Sequence, residues 1–132
     1  MILGIGSDIV EIERIAKLQE RFGERFLEKV FTPDERRRAL DSINGAASLA
    51  KRFAAKEAFL KALGSGFSQG VSWHEIMVTN DPQGAPYITL TGQALSLAEN
   101  KVPSGHQLAI FLSLSDSQTV AHAVVVLEAR PE

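Results

Sequence analysis

Apolar and polar residues alternate, cluster and recur differently along the chain, and each regime predicts an element. Residues 2–10 are mostly β-branched or small and predict a strand. From 13 to 22 the apolar positions Ile15, Leu18 and Phe22 recur at helical spacing, and Gly23 ends or bends that helix. A short helix over 24–30 follows. In "FTPDE", Thr32 is a good N-cap, Pro33 stands at the first helical position and Glu35 lies in the first turn, predicting a helix to about Leu40. The longest helical pattern is "AASLAKRFAAKEAFLKALGSG", roughly five turns of good helix formers with Gly64 as the stop. Downstream, "HEIMVTNDPQGAPYITLTG" predicts a hairpin through Leu90 whose turn lies in the Asn, Asp, Pro and Gly cluster. Thr91 is placed to cap a helix of about 92–100. "QLAIFLSLS" and "TVAHAVVVLEA" predict two last strands around a polar turn at 116–118.

This order predicts an α+β fold, a mainly antiparallel sheet packed on one long helix with additional short helices. No repeat, low-complexity tract or linker divides it, so residues 1–132 are expected to form a single domain. With 132 residues, 45% of them hydrophobic, the chain can bury one small core. No run approaches about 18 consecutive apolar residues, and Met1 leads into "ILGIG" without a basic leader. Neither membrane association nor export is expected, which makes the cytoplasm the expected location. The absence of cysteine excludes disulfides, thiolate nucleophiles and cysteine-based metal centres. A formal net charge of −2 argues against general nucleic-acid binding, which needs an excess of Lys and Arg.

Chemistry must then come from carboxylates, lysines, hydroxyls, histidines or a hard metal. Asp8 is out of place in "LGIGSDIVEI", between Ile5 and Ile9, because a buried carboxylate without a partner costs several kcal/mol. It needs a cation, a set of donors, or a local role as a cap or turn acceptor. The glycines before it are not a dinucleotide loop: Ile9 occupies the place of the third fingerprint glycine and no helix opens there. "GSGFSQG" follows a helix where that fingerprint needs a strand, so it reads as a C-cap and turn or as a loop approaching a phosphate. "HEIMV" has Val78 where a zinc-protease motif needs its second histidine, and His74, His106 and His122 fit no ligand spacing.

On the long helix Glu57 lies at the edge of the apolar face, with Lys61 one turn on. It forms either a surface ion pair with Lys61 or, with Asp8, a two-carboxylate site for one Mg²⁺, an ion that keeps waters and substrate phosphates as further ligands. Arg14, Lys17 and Arg21 form a basic stripe on the first helix, which Arg25 extends if that helix continues past Gly23. The stripe is a solvated face balanced by Glu13, Glu20 and Glu24, or a dock.

The segments "GIGSDIVEIERI", "FTPDE", "KRFAAKEAFLKALGSG" and "NDPQGAP" occur here in the order found in holo-acyl-carrier-protein synthases, the short type of phosphopantetheinyl transferase, and the chain resembles that family from Gly4 to about Glu128. The resemblance implies Mg²⁺-dependent transfer of the phosphopantetheine arm of coenzyme A to a serine of apo acyl carrier protein. The adenosine bisphosphate is released, and the reaction supports fatty acid biosynthesis. It further implies a homotrimer with active sites between subunits. On that pattern Asp8 and Glu57 hold the metal, and Lys61 contacts phosphate. Arg52, Gly64, Ser65 and Gly66 join Asp8, Glu57 and Lys61 around the coenzyme, and Gly84 and Pro86 belong to the neighbouring subunit's pocket. Arg14, Lys17, Arg21 and Arg25 dock the acidic carrier protein. The serine proton would go to Glu57, to a hydroxide on the metal, or to a water activated by Glu35.

Two positions depart from relatives of the family: Val10 stands where longer ones have a third acidic residue, and Asp116 where many have histidine. A binding module that kept the fold without the chemistry, and a domain in which these residues make ordinary polar contacts, are the other readings of the chain.

Overall fold

Every predicted element forms, in the predicted order, in the computed structural model, which describes residues 1–64 and 67–132. Strand β1 (Ile2–Glu11) runs into helices α1 (Ile12–Phe22), α2 (Glu24–Val30), α3 (Pro33–Leu40) and the long α4 (Gly45–Leu63). Then come the hairpin β2 (Ile76–Asn80) and β3 (Pro86–Leu90), α5 (Gly92–Glu99), β4 (His106–Asp116) and β5 (Val120–Pro131). Thr32 caps α3 as expected, in a reciprocal box with Glu35. Asn44 caps α4 by accepting from the Ala47 N–H at 3.1 Å. Thr91 occupies the N-cap of α5 without a side-chain bond; the Glu75 carboxylate accepts the Gln93 N–H there instead.

The strands divide into two antiparallel sheets where one main sheet was expected. β5 lies between β1 and β4, and β2 pairs only with β3. Alternation along β5 turns Ala121, Ala123, Val125, Leu127 and Ala129 inward. Against this face α4 presents Ala54, Ala55, Ala58 and Ala62, all buried, so a helix of small residues lies on a strand of small residues. Helices α1 and α3 and strand β2 cover much of the rest of α4, which explains why it carries no clean amphipathic stripe. On the opposite face of the three-stranded sheet, Ile5, Ile9 and Phe111 are exposed. No helix among the described residues is long and apolar enough to cross a membrane.

One ion pair is sealed inside this arrangement. Lys56 of α4 and Glu35 of α3, both without solvent exposure, meet at 2.8 Å. Lys56 also donates to the carbonyls of Val30 and Trp73, at 2.8 and 3.1 Å. Glu35 accepts the N–H groups of Thr32 and Val78, each at 2.8 Å. Four elements therefore converge on two charges, whose burial is tolerable only because nearly every lone pair and proton is used. Lys56→Met should cost on the order of 3–5 kcal/mol in urea denaturation, because Glu35 stays buried without its cation. Adding Glu35→Gln should recover part of that loss; a single variant as stable as the wild type would refute the account.

Candidate active site

Asp8 owes its position to the two glycines before it. Residues 4, 6, 8 and 10 share the inner face of β1, and a Cβ on Gly4 or Gly6 would lie 2.0 Å from the carbonyl oxygen of Ala62 or Ala58. Strand and helix backbones touch there, so the next inward side chain, Asp8, reaches the flank of α4. Its carboxylate meets Lys61 Nζ at 2.9 Å, and Lys61 also donates to the Ser7 carbonyl at 2.9 Å. Of the two readings of Glu57, the ion pair with Lys61 does not form among the described residues, where Lys61 pairs with Asp8. Glu57 lies one turn before Lys61 on the same flank. Burial, and then the Asp8 charge, push its carboxyl above the usual range, while Arg14 and Lys61 oppose the shift. Two carboxylates that repel each other, with cations from β1's partner helix and from α1 beside them, form the chemical centre of this flank.

Beside it lies an apolar groove of about 440 Å³ between the first two helices and α4. The Arg14 guanidinium sits 5.5 Å over the Phe53 ring, which stacks on Trp73 at 5.3 Å. Phe22, expected on the buried side of α1, is exposed and lines the groove with Arg25 and Lys29. The reason is Gly23, whose φ of 57° ends α1 and turns the chain before anything can cover that ring. Arg25 therefore belongs to α2 and not to a continuous stripe, yet it borders the same groove. Arg21 lies over Phe22, and Lys17 is paired with Glu13 at 3.4 Å.

Arg52 is on the other side of α4. Nine residues from Lys61 are two and a half turns, which places the two cations on opposite faces of the helix. The guanidinium is buried; Nη1 donates to Ser48 Oγ at 2.7 Å and to its carbonyl at 3.2 Å, and Nη2 donates to Asn80 Oδ1 at 3.1 Å. Asn80 in turn donates to the Gly84 carbonyl at 3.0 Å, and Pro86 pairs with Asn80 across the hairpin. The residues expected around one coenzyme are therefore divided: Asp8, Glu57 and Lys61 on one flank, Arg52 with Gly84 and Pro86 on the other. Asn80, which ties that second group together, was missed in the sequence, where it reads as one more turn residue. Gly64 forms the left-handed C-cap of α4 at φ 80°, and Ser65 and Gly66 lie outside the described residues.

Glu35 requires a correction. With no exposure and both oxygens held by Lys56 and two backbone N–H groups, it has no path to a water or a substrate proton and cannot serve as a base. Among the described residues no cluster of three or more His, Cys, Asp or Glu is placed to hold a metal, which leaves the two-carboxylate pair.

Residues 4–120 match the model of the 4′-phosphopantetheinyl transferase superfamily. The chain belongs to that superfamily. It is 49% identical over 132 residues to a holo-[acyl-carrier-protein] synthase of Rhizobium leguminosarum, covering 100% of this chain and 98% of that one. The fold agrees with the crystal structure of the Neisseria meningitidis holo-[acyl-carrier-protein] synthase at a TM-score of 0.83 and 40% identity, covering 97% of this chain and 99% of that one. The Helicobacter pylori synthase in complex with coenzyme A agrees at a TM-score of 0.79 and 35% identity, over 94% and 99% of the two chains.

In this superfamily member the raised Glu57 carboxyl has a consequence for folding. Because its native pKa lies above the unfolded value, ionised Glu57 opposes folding at neutral pH. That opposition fades as pH falls through the raised value and is gone below the unfolded value of about 4.3. Glu57→Gln in metal-free buffer should raise Tm at neutral pH and leave it unchanged below about pH 4. Calorimetry giving a lower neutral-pH Tm for the variant would contradict the assignment.

Proposed function

We propose that this chain transfers the 4′-phosphopantetheine arm of coenzyme A to a serine hydroxyl of an apo acyl carrier protein, releasing adenosine 3′,5′-bisphosphate, in support of fatty acid biosynthesis in the cytoplasm. The observation that carries this reading is the meeting of Asp8, Glu57 and Lys61 at the edge of an apolar groove with a cationic rim. Relatives near half identity over their full length bear the name of such a synthase.

Asp8 and Glu57 fit a Mg²⁺ ion. They are two oxygen donors from different elements with mutual repulsion to relieve, and a hard cation held by two carboxylates keeps positions for water and substrate phosphate. Bound there, Mg²⁺ would supply charge neutralisation for the pyrophosphate. The chain's own residues do the rest. Lys61, more than half exposed, turns its ammonium from Asp8 toward the incoming phosphates. The serine oxygen attacks the phosphorus that bears the pantetheine arm, the bond to the adenosine bisphosphate breaks, and the leaving oxygen departs with its charge. With Glu35 sealed away, Glu57 is the side chain left at this flank to accept the serine proton. The apolar groove with Arg14, Arg21 and Arg25 along it suits an acidic helix that also presents apolar side chains, as a carrier protein would.

Coenzyme A carries its pyrophosphate and its 3′-phosphate close together, whereas this chain sets its two cationic groups on opposite faces of α4. A second copy supplying Arg52 beside the first copy's Lys61 resolves that mismatch. The exposed Ile5, Ile9 and Phe111 give such a copy an apolar face to bury, in the homotrimer that the family resemblance implies.

Incubation with coenzyme A, Mg²⁺ and apo carrier protein should add one phosphopantetheine arm to the carrier in mass spectrometry. Asp8→Ala and Glu57→Ala should each lower kcat/KM at least about 100-fold with unchanged circular dichroism, and near-normal activity in either would overturn the site. In the same assay Arg21→Glu should raise KM for the carrier and leave KM for coenzyme A alone. Ile9→Glu should convert a trimer to monomers in sedimentation and abolish transfer; an active monomer would exclude a site shared between copies.

A further inference from the structure

The outer face of the three-stranded sheet carries one imidazole among apolar and hydroxyl side chains. Register sets its rows: Ile5, Val126 and Phe111 stand side by side, then Ser7, Val124 and Ser113, then Ile9, His122 and Ser115. Ile5 and Ile9 are 67% and 66% exposed, so the face is apolar and open on the single copy. His122 is half-buried and makes no hydrogen bond or ion pair among the described residues. Its neighbours along β5 are Val120 and Val124. From β4 it meets Ser113 and Ser115, and from β1 Ile9, with Ser7 and Glu11 on the diagonals. Glu11 is therefore the charged group that faces it from the flanking strands. The other two histidines are engaged elsewhere, His74 with the Glu28 carbonyl and His106 with the Ser104 carbonyl.

We propose that His122 makes assembly of the trimer, and with it the shared active site, depend on pH: neutral rings let three copies of this face meet, and protonated rings hold them apart. The inference rests on the trimeric transferase reading above.

In a closed threefold ring a single apolar face meets its own copies only around the axis, which draws the three His122 rings together. Covering the face takes each ring out of water, and burial disfavours the charged form. Three imidazoliums around one axis also repel one another. Glu11, exposed and diagonal, attracts an imidazolium weakly in the free copy and in the trimer alike, so it does not reverse the balance. The free copy thus binds more protons than the assembled one. Assembly is strongest above the range in which imidazoles titrate and weakens as pH falls through it. Because Lys61 of one copy and Arg52 of another are needed for one coenzyme, loss of assembly is loss of transfer, and mass action makes that loss depend on enzyme concentration.

Sedimentation of the full chain at about pH 7.5 and about pH 5.5, on either side of imidazole titration, tests this. The wild-type trimer association constant should fall at least about 10-fold between them. Transfer by dilute enzyme should fall in parallel and recover when the enzyme is concentrated. His122→Gln, uncharged at both pH values, should stay trimeric and lose that concentration dependence; His122→Val, which matches the surrounding face, should do the same. Glu11→Gln should leave the direction of the wild-type effect unchanged. A wild-type trimer equally tight at both pH values overturns the proposal and leaves the transferase reading intact. So does a trimer of both His122 variants that loosens in acid as much as the wild type, or that fails to form at about pH 7.5. A wild type that transfers as a monomer overturns the proposal and the shared site together, and one that does not transfer at all overturns the function itself.

Discussion

The backbone of α4 rests against the backbone of β1, because glycines at positions 4 and 6 put no Cβ between them and the carbonyls of Ala62 and Ala58. This close approach sets the depth at which everything else on the inner face of β1 meets the helix. One residue pair further along, the same face carries Asp8, and the distance that excludes a methyl group at Gly6 brings a carboxylate to Lys61 and into the field of Glu57. A strand held a methyl group farther away would leave Asp8 short of both. The alanines of β5 and α4 serve the same geometry, since larger side chains there would lift the helix from the sheet.

Two lysines of α4 show how burial divides structural from chemical roles. Lys56 and Lys61 are five residues apart, and each pairs with a carboxylate within 3 Å. Lys56 and Glu35 have no exposure and have taken backbone partners from neighbouring elements, so neither can turn to a substrate without leaving a charge unsatisfied. Lys61 is 55% exposed, so its ammonium is open to a ligand arriving from solvent, whereas Lys56 is not. The contrast also locates the ionisable chemistry on one flank of the helix and the rigid cross-braces at its back.

Much of this architecture is legible in the sequence. Ile15 and Leu18 at helical spacing, Thr32-Pro33 with Glu35, and Gly64 after an uninterrupted run of helix formers are local signals, decided by backbone propensity and caps within one or two turns. Elsewhere the deciding partner is remote in sequence. Phe22 keeps its helical phase but lacks a cover. Thr91 loses its capping role to Glu75. Glu35, which by type and position looked available for proton transfer, is consumed by Lys56 and Val78. Asn80 binds Arg52 across 28 positions, a contact that no local pattern announces.

The sequence by itself determined the elements, their order, and the chemical alphabet of the site: no thiols, carboxylates at 8 and 57, lysines at 56 and 61, and a basic first helix. Those follow from periodicity, propensity and residue type, which act over a few residues. Only the tertiary structure decided which lysine each carboxylate meets. It also placed Arg52 behind the helix and away from Lys61, and it left one face of the sheet bare. Such outcomes depend on helix phase and on the distance between packed backbones, and a rotation of 100° per residue along α4 turns neighbours in sequence toward different partners in space.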